Sequence, residues 1–260
     1  MANRNGVKWS REETILAYEL YCRTPFSKIS QSNPEIKKLA ELLGRTSGSV
    51  GLKMHNLAHY DPELKKRNVT AMAHGSKLDG AIFSEFCNDW TELSYRAQEI
   101  RARMQNVEVK EIIDVGDIDD IPPGGYKERI MKNRVGQHFF RMAVLSSYRN
   151  KCCITGLSKS SLLIASHIKP WNVCDEKTER TNPCNGLCLN LLHDKAFDRG
   201  LITLDSKLRL IISKEMKNAE MDKQTRDWFC GYEGKQIDLP DKFLPGKSFL
   251  EYHNDVVFLG

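Results

Sequence analysis

The sequence has no hydrophobic run long enough to cross a membrane, no internal repeat and no low-complexity tract. A transmembrane helix needs about 20 predominantly apolar residues. The N-terminus is polar and has no apolar stretch typical of a signal peptide. We therefore expect a soluble, cytoplasmic protein with no membrane partner, whose eight cysteines are reduced thiols.

Two Cys-x-x-Cys pairs, the strongest sequence sign of a structural zinc site, are also missing. The C-terminal half has instead the adjacent pair Cys152-Cys153, the single Cys174, and Cys184 and Cys188 separated by three residues. This spacing argues against structural zinc.

The net charge is small, since the chain has 39 Lys and Arg residues and 34 Asp and Glu residues. The charge is nevertheless unevenly distributed. Residues 1–105 contain 16 basic and 12 acidic residues, and residues 126–260 contain 22 and 16. Residues 106–125 contain six acids and one lysine and end in Pro-Pro-Gly-Gly, which is typical of a linker. The sequence thus predicts a domain at 1–105, a linker at 106–125 and a domain at 126–260, and the two basic domains favour a polyanionic partner.

The first domain is predicted to be helical. Ser10 and Glu13 have the spacing of a capping box. A second helix is expected to begin at Asn33-Pro34 and to end at Gly44, and a third to run from Thr46 or Ser47 towards Ala58. Two short helices joined by a glycine-containing turn predict a helix-turn-helix.

DNA-contacting residues are predicted on or near the polar side of that third helix, at Arg45, Lys53 and Asn56. Asparagine can bind adenine, and arginine or lysine can bind guanine or phosphate. The alternative is an ordinary solvent-facing helix surface. Arg141, in a helical segment over 126–151 that Gly136 is expected to break, is a further candidate for contact with the DNA backbone.

The second domain contains an ordered His, Asn, His series: eighteen positions separate His167 from Asn185, and eight separate Asn185 from His193. Short apolar runs at 162–165 and 187–189 predict two strands. Asn190 is a plausible cap for a following helix that Gly200 ends. Alternation over 201–204 and 208–212 predicts a hairpin, so the fold class is α+β.

Histidine suits general-base chemistry. Its ordinary pKa of about 6.5 leaves it largely neutral and able to accept a proton near pH 7. A hydrolysis needs such a base for the proton of the attacking water and, where negative charge develops, a cation. His167 is the candidate base.

These residues and their flanks resemble the HNH endonucleases. The flanks that carry the resemblance are Cys152-Cys153-Ile154-Thr155-Gly156, Ser166-His167-Ile168-Lys169-Pro170-Trp171 and Phe197-Asp198-Arg199-Gly200-Leu201-Ile202. The resemblance implies a ββα-metal nuclease domain in which Asn185 orders the catalytic loop and His193 binds a divalent ion, Mg²⁺ or Mn²⁺. The segment 9–62 resembles the region found ahead of such domains in bacterial restriction endonucleases, which implies a targeting domain.

One position departs from the family pattern. Many HNH enzymes carry Asp or His immediately before the base, as a second metal ligand, whereas this chain has Ser166. A hydroxyl is a poor ligand for a divalent ion. The second ligand is therefore sought on the following helix, at Asp198 or Asp194, and Asp198 is favoured.

The function predicted from the sequence is metal-dependent hydrolysis of double-stranded DNA in restriction or defence. A single site cuts one strand, so a double-strand break requires a homodimer or two sequential events. Two alternatives remain open: a non-catalytic DNA-binding regulator on a degenerate HNH scaffold, and an HNH nuclease specific for modified DNA or RNA.

Overall fold

A computed structural model describes residues 6–61, 75–112 and 125–260, with the side chains of the last range described from residue 128 onward. The fold is α+β, as predicted. Contacts divide the chain into unit 1, Met1–Ala143, and unit 2, Val144–Gly260.

Unit 1 is helical throughout its described residues, apart from turns and loops. Its α-helices are α1 (Arg11–Cys22), α2 (Pro34–Leu43), α3 (Ser47–Ala58), α4 (Lys77–Phe86), α5 (Trp90–Gln105), α6 (Val109–Ile112) and α7 (Gly125–Ser147), and a 3₁₀ turn covers Phe26–Lys28. Helix α1 is central: every residue from Glu13 to Cys22 is buried, and it packs against α2, α3, α4 and α5.

The helix starts follow local capping signals. The predicted capping box is confirmed, because Ser10 accepts from the Glu13 amide and the Glu13 carboxylate accepts from the Ser10 amide. Asn33 caps α2, which has Pro34 in its first turn and ends at Gly44 with a φ of 64°, a left-handed conformation that glycine adopts without strain. Thr46 caps α3. The three predicted helices are therefore confirmed.

The structure describes the predicted linker only at residues 106–112 and 125. Part of the predicted linker, residues 109–112, forms the short helix α6, while residues 113–124 lie outside the described residues. Helix α7 runs without interruption through Gly136, so the expected break there is wrong. The division between the units falls within α7, after Ala143.

Unit 2 contains two antiparallel strand pairs and several short helices. The elements are β1 (Leu163–His167), β2 (Gly186–Asn190), α8 (Leu191–Asp198), β3 (Ile202–Leu204), β4 (Leu210–Ile212), α9 (Lys214–Asn218), α10 (Lys223–Cys230) and α11 (Lys247–Tyr252), with 3₁₀ turns at Ser160–Leu162, Trp171–Val173 and Pro183–Asn185 and a π-helical turn at His253–Val257. The pairing of β3 with β4 confirms the predicted hairpin.

The order strand, strand, helix is the part of unit 2 that positions the candidate site. In the β1–β2 pair Leu163 lies opposite Asn190 and His167 opposite Gly186, and α8 follows β2 directly and packs on both strands. Gly200 ends the turn after α8 with a φ of 69°; a Cβ there would lie 2.0 Å from the Val257 carbonyl oxygen, so only glycine fits.

Within the described residues, no helix combines the length and the apolarity that a membrane span requires.

Candidate active site

His167 is the last residue of β1, and its ring is partly buried. Its Nε2 lies 2.8 Å from the carbonyl oxygen of Arg180. A carbonyl can only accept a hydrogen bond, so Nε2 carries the proton and Nδ1 is the basic nitrogen of the neutral ring. Burial lowers the pKa of His167, and the Arg180 carbonyl partly opposes that shift. The imidazole is therefore neutral near pH 7 and can accept a proton through Nδ1.

Asn185 is fully buried and joins the two ends of the β1–β2 loop. Its Oδ1 accepts from the Lys169 amide at 2.8 Å, and its Nδ2 donates to the Lys169 carbonyl at 3.2 Å and to the Glu179 carbonyl at 3.4 Å. The Asn185 carbonyl accepts from the Ile168 amide at 2.9 Å. These bonds hold the backbone that immediately follows His167, which is the position the predicted loop-ordering role requires.

Trp171 lies against His167 in the same loop. The two ring centroids are 5.4 Å apart and the planes meet at 85°, an edge-to-face contact. Close by, the Lys169 ammonium pairs with Glu179 at 2.5 Å. The loop thus places an aromatic ring against the imidazole and contains a neutralised ion pair.

His193 lies in the aromatic core of unit 2 and is 0% exposed. Its ring stacks on Phe229, with centroids 4.9 Å apart and planes at 7°, and contacts the edges of Trp228 and Tyr232. Nδ1 lies 3.1 Å from the Asn190 side-chain oxygen, and within the ranges that the structure describes Nε2 has no hydrogen-bond partner. Burial lowers the pKa of His193 to about 4. This environment is that of a core residue.

Asp194 and Asp198 lie one helical turn apart on α8, so their side chains share a face. Asp194 is partly buried and Asp198 is more exposed. Burial raises the pKa of both carboxyl groups, and the neighbouring Asp194 charge raises that of Asp198 further. In the described part of the chain neither carboxylate forms a salt bridge.

Ser166 connects this acidic face to β1. Its side chain is 2% exposed and lies close enough to Asp194 to lower that group's pKa, although no described residue partners Oγ with normal hydrogen-bond geometry. The residue beside His167 in β1 is therefore the neighbour of Asp194. The spacing of Asp194 and Asp198 was visible in the sequence, but the contact between Ser166 and Asp194 was not.

A ready-made metal cluster is not present among the residues that the structure describes: no three His, Cys, Asp or Glu side chains lie together in a way that could hold an ion. The charges of Asp194, Lys195 and Arg199 act on the pKa of Asp198. No disulfide joins any two cysteines in the part of the chain that the structure describes.

Two of the predicted DNA-contacting residues, Arg45 and Lys53, form buried ion pairs in unit 1. The Arg45 guanidinium donates to both carboxylate oxygens of Glu13, at 3.1 and 2.8 Å, and lies 4.4 Å from the centre of the Trp9 ring. Lys53 pairs with Asp79 at 2.7 Å. Arg45 is 9% and Lys53 6% exposed, so both charges are directed into the unit rather than to solvent.

The remaining two DNA-binding candidates have a different environment. Asn56 and Arg141 are both partly exposed, on α3 and α7 respectively. Their side chains remain accessible to a partner.

Comparison with known proteins identifies one segment of the chain. Residues 152–205 match the family model described as HNH endonuclease, which covers β1, β2, α8 and β3. No curated protein matches the chain. The match indicates nuclease activity in general terms.

Proposed function

We propose that this protein hydrolyses DNA phosphodiester bonds with the help of a divalent ion. The proposal starts from the match of residues 152–205 to the HNH endonuclease family model. The observation that carries the proposal is the state of His167. Its Nε2 is held by the Arg180 carbonyl at 2.8 Å, and burial lowers its pKa. Both features favour a neutral ring whose Nδ1 can take a proton.

His167 acts as the general base. A positioned base of this kind contributes about 10²- to 10⁴-fold to a rate. Nδ1 accepts the proton of the attacking water, and the Arg180 carbonyl stabilises the resulting imidazolium through Nε2–H. Asn185 is a positioning residue, because its bonds to Lys169 and Glu179 hold the loop that carries this carbonyl.

The donor set on α8 fits a hard divalent cation. Two carboxylates, Asp194 and Asp198, have raised pKa values and form no salt bridge with any residue that the structure describes. Ser166 Oγ is buried near Asp194, without a normal hydrogen bond to the described residues. Mg²⁺ and Mn²⁺ prefer such oxygen ligands. The ion, when bound, would neutralise negative charge on the phosphate.

This assignment replaces the predicted ligand His193 by Asp194 and retains Asp198. A ring stacked on Phe229 and 0% exposed is unsuited to an ion that keeps several waters. In this proposal the ββα-metal arrangement consists of β1, β2 and α8, with carboxylates as its protein ligands.

Double-stranded DNA is the proposed substrate, and restriction or defence the proposed role. Unit 1 supplies targeting through α2 and α3, with Asn56 as the accessible side chain of the predicted reading helix and Arg141 as a backbone contact. Arg45 and Lys53 are left out of this interface, because their charges are neutralised by Glu13 and Asp79. A double-strand break requires two copies of the site or two successive cuts.

The rival function is a DNA-binding regulator without catalysis. Ser166, in place of an acidic ligand, is the specific observation that favours it. The two functions differ in one result, which is cleavage.

The test is incubation of supercoiled plasmid with the wild-type protein and His167→Ala, in Mg²⁺, Mn²⁺ or EDTA, using both unmodified and modified DNA and an RNA duplex. His138→Ala, at an exposed histidine of unit 1, is the matched control. We expect metal-dependent nicking that only His167→Ala loses. DNA binding without cutting under every condition would favour the regulator, and cutting restricted to modified DNA or RNA would change the substrate.

A further inference from the structure

Arg180 combines two contacts at the candidate base. Its carbonyl oxygen accepts the hydrogen bond from His167 Nε2, and its guanidinium carbon lies 5.4 Å from the centre of the Trp171 ring. Trp171 in turn meets the His167 ring edge-on, at 5.4 Å between centroids. One indole ring therefore contacts both the imidazole and the guanidinium.

The Arg180 guanidinium has an incomplete set of hydrogen-bond and ion-pair partners among the described residues. Its Nε is buried and has no hydrogen-bond partner among the described residues, which is rare in folded proteins. Its salt bridge to Glu176 is long, 4.0 Å, and the Glu176 side chain is 46% exposed. A second nearby carboxylate, Asp175, is exposed, and its pKa is lowered by hydrogen bonds from the residues that follow it and partly by the Arg180 charge. Lys169 in the same loop is different, since its ammonium is paired with Glu179 at 2.5 Å.

Arginine is well suited to a phosphate at such a position. Its planar fork of N–H donors matches the geometry of phosphate oxygens, and a guanidinium stacked on an aromatic ring loses less freedom when it binds. A phosphodiester held near His167 would supply the acceptors that the loop does not.

We propose that the Arg180 guanidinium, held on Trp171, binds a non-bridging phosphate oxygen of the substrate beside His167. The proposal rests on the proposed nuclease function. Because the contact to His167 uses the Arg180 backbone, a side-chain substitution removes the cation and leaves the partner of the base in place.

The test separates binding from cleavage. Duplex binding is measured in EDTA over a range of salt concentrations for His167→Ala alone and combined with Arg180→Gln, Arg180→Lys or Arg209→Gln. Arg209 is the control, because it is an exposed arginine paired with Asp205 in the β3–β4 turn. Cleavage kinetics of the single Arg180 and Arg209 variants are measured in parallel, and thermal melting checks that each variant folds.

We expect Arg180→Gln to weaken binding by about tenfold or more, the effect of losing a hydrogen bond to a charged group. We also expect it to reduce the slope of log binding constant against log salt by about 0.9, the value for one phosphate contact. Arg180→Lys should retain the slope with lower affinity, and kcat/KM should fall in Arg180→Gln. Arg209→Gln should leave cleavage kinetics at the wild-type level.

Unchanged affinity and salt slope in a folded Arg180→Gln variant would overturn the proposal and leave Arg180 as a stacking residue. Absence of any duplex binding by the parent would also overturn it. If the wild type cuts DNA but Arg180→Gln binds normally, only this proposal fails. If binding depends on Arg180 but nothing is cut, the nuclease function fails and the phosphate contact stands.

Discussion

Replacing His193 by phenylalanine should make unit 2 less sensitive to acid. The pKa of His193 is lowered to about 4 by burial, whereas in the unfolded chain it is about 6.5. Below pH 6.5 the unfolded chain therefore binds a proton at His193 that the folded chain does not bind. The free energy of unfolding consequently decreases as the pH falls from 6.5 to 4. With 1.36 kcal/mol for each pKa unit, the full loss is about 3 kcal/mol, of which about 2 kcal/mol is reached by pH 5.

The substitution itself should have little effect at pH 7. Phenylalanine can keep the stacking on Phe229, and it removes the unpaired Nε2, whose burial costs about 1–3 kcal/mol. It also removes the contact between Nδ1 and Asn190, worth about 1 kcal/mol. These two contributions to the free energy of unfolding have opposite signs.

The assay is urea denaturation of the full chain at pH 7, 6 and 5, followed by circular dichroism. The free energy of unfolding is compared between wild type and His193→Phe at each pH. The difference in pH dependence isolates the contribution of His193, since other buried groups such as His253 titrate in both proteins. His193→Met is the second variant in case the larger ring does not fit, and His138→Gln controls for the loss of an exposed histidine. Identical pH slopes in wild type and folded variants would refute the burial argument.

Other consequences concern the carboxylates, the base and the core of unit 1. Asp194→Asn should raise the metal concentration needed for half-maximal cutting at least tenfold, while Lys195→Gln, its exposed neighbour, should not; equal metal titrations would remove Asp194 as a ligand. The rate of cutting should fall with acid at a midpoint below pH 6.5, because burial lowers the pKa of His167 and protonation of the base stops the reaction; a midpoint above 6.5 would contradict this. Glu13→Gln should lower the free energy of unfolding by about 3–5 kcal/mol, since it leaves the buried Arg45 charge uncompensated. Glu12→Gln, which breaks an exposed pair with Arg103, should cost under about 1 kcal/mol, and equal losses in the two variants would refute the buried-pair argument.

Local signals in the sequence were sufficient for the helix starts and for the order of elements around His167. Capping depends on residues two or three positions apart, as for Ser10 with Glu13 and for Thr46 with Ser49, so a sequence pattern contains all the information it needs. The strand, strand, helix order and the cap at Asn190 were predictable for the same reason.

Features that depend on contacts between residues far apart in the chain could not be predicted from the sequence. Arg45 is buried because Glu13, 32 positions earlier, is already buried in α1 and attracts it. The core position of His193 depends on Phe229, which belongs to α10. A histidine at ligand spacing and a histidine in an aromatic core have the same sequence pattern, and only the packing distinguishes them.

Chemical rescue of the missing base tests the central claim most directly. His167→Gly would be incubated with supercoiled plasmid and Mg²⁺ or Mn²⁺, with and without added imidazole, beside the wild type. We predict that nicking falls by about 10²- to 10⁴-fold and that imidazole restores part of it with a dependence on the neutral form of the buffer. Cutting by His167→Gly at the wild-type rate, or a folded wild-type protein that never cuts, would contradict the assignment of His167 as the base of a nuclease.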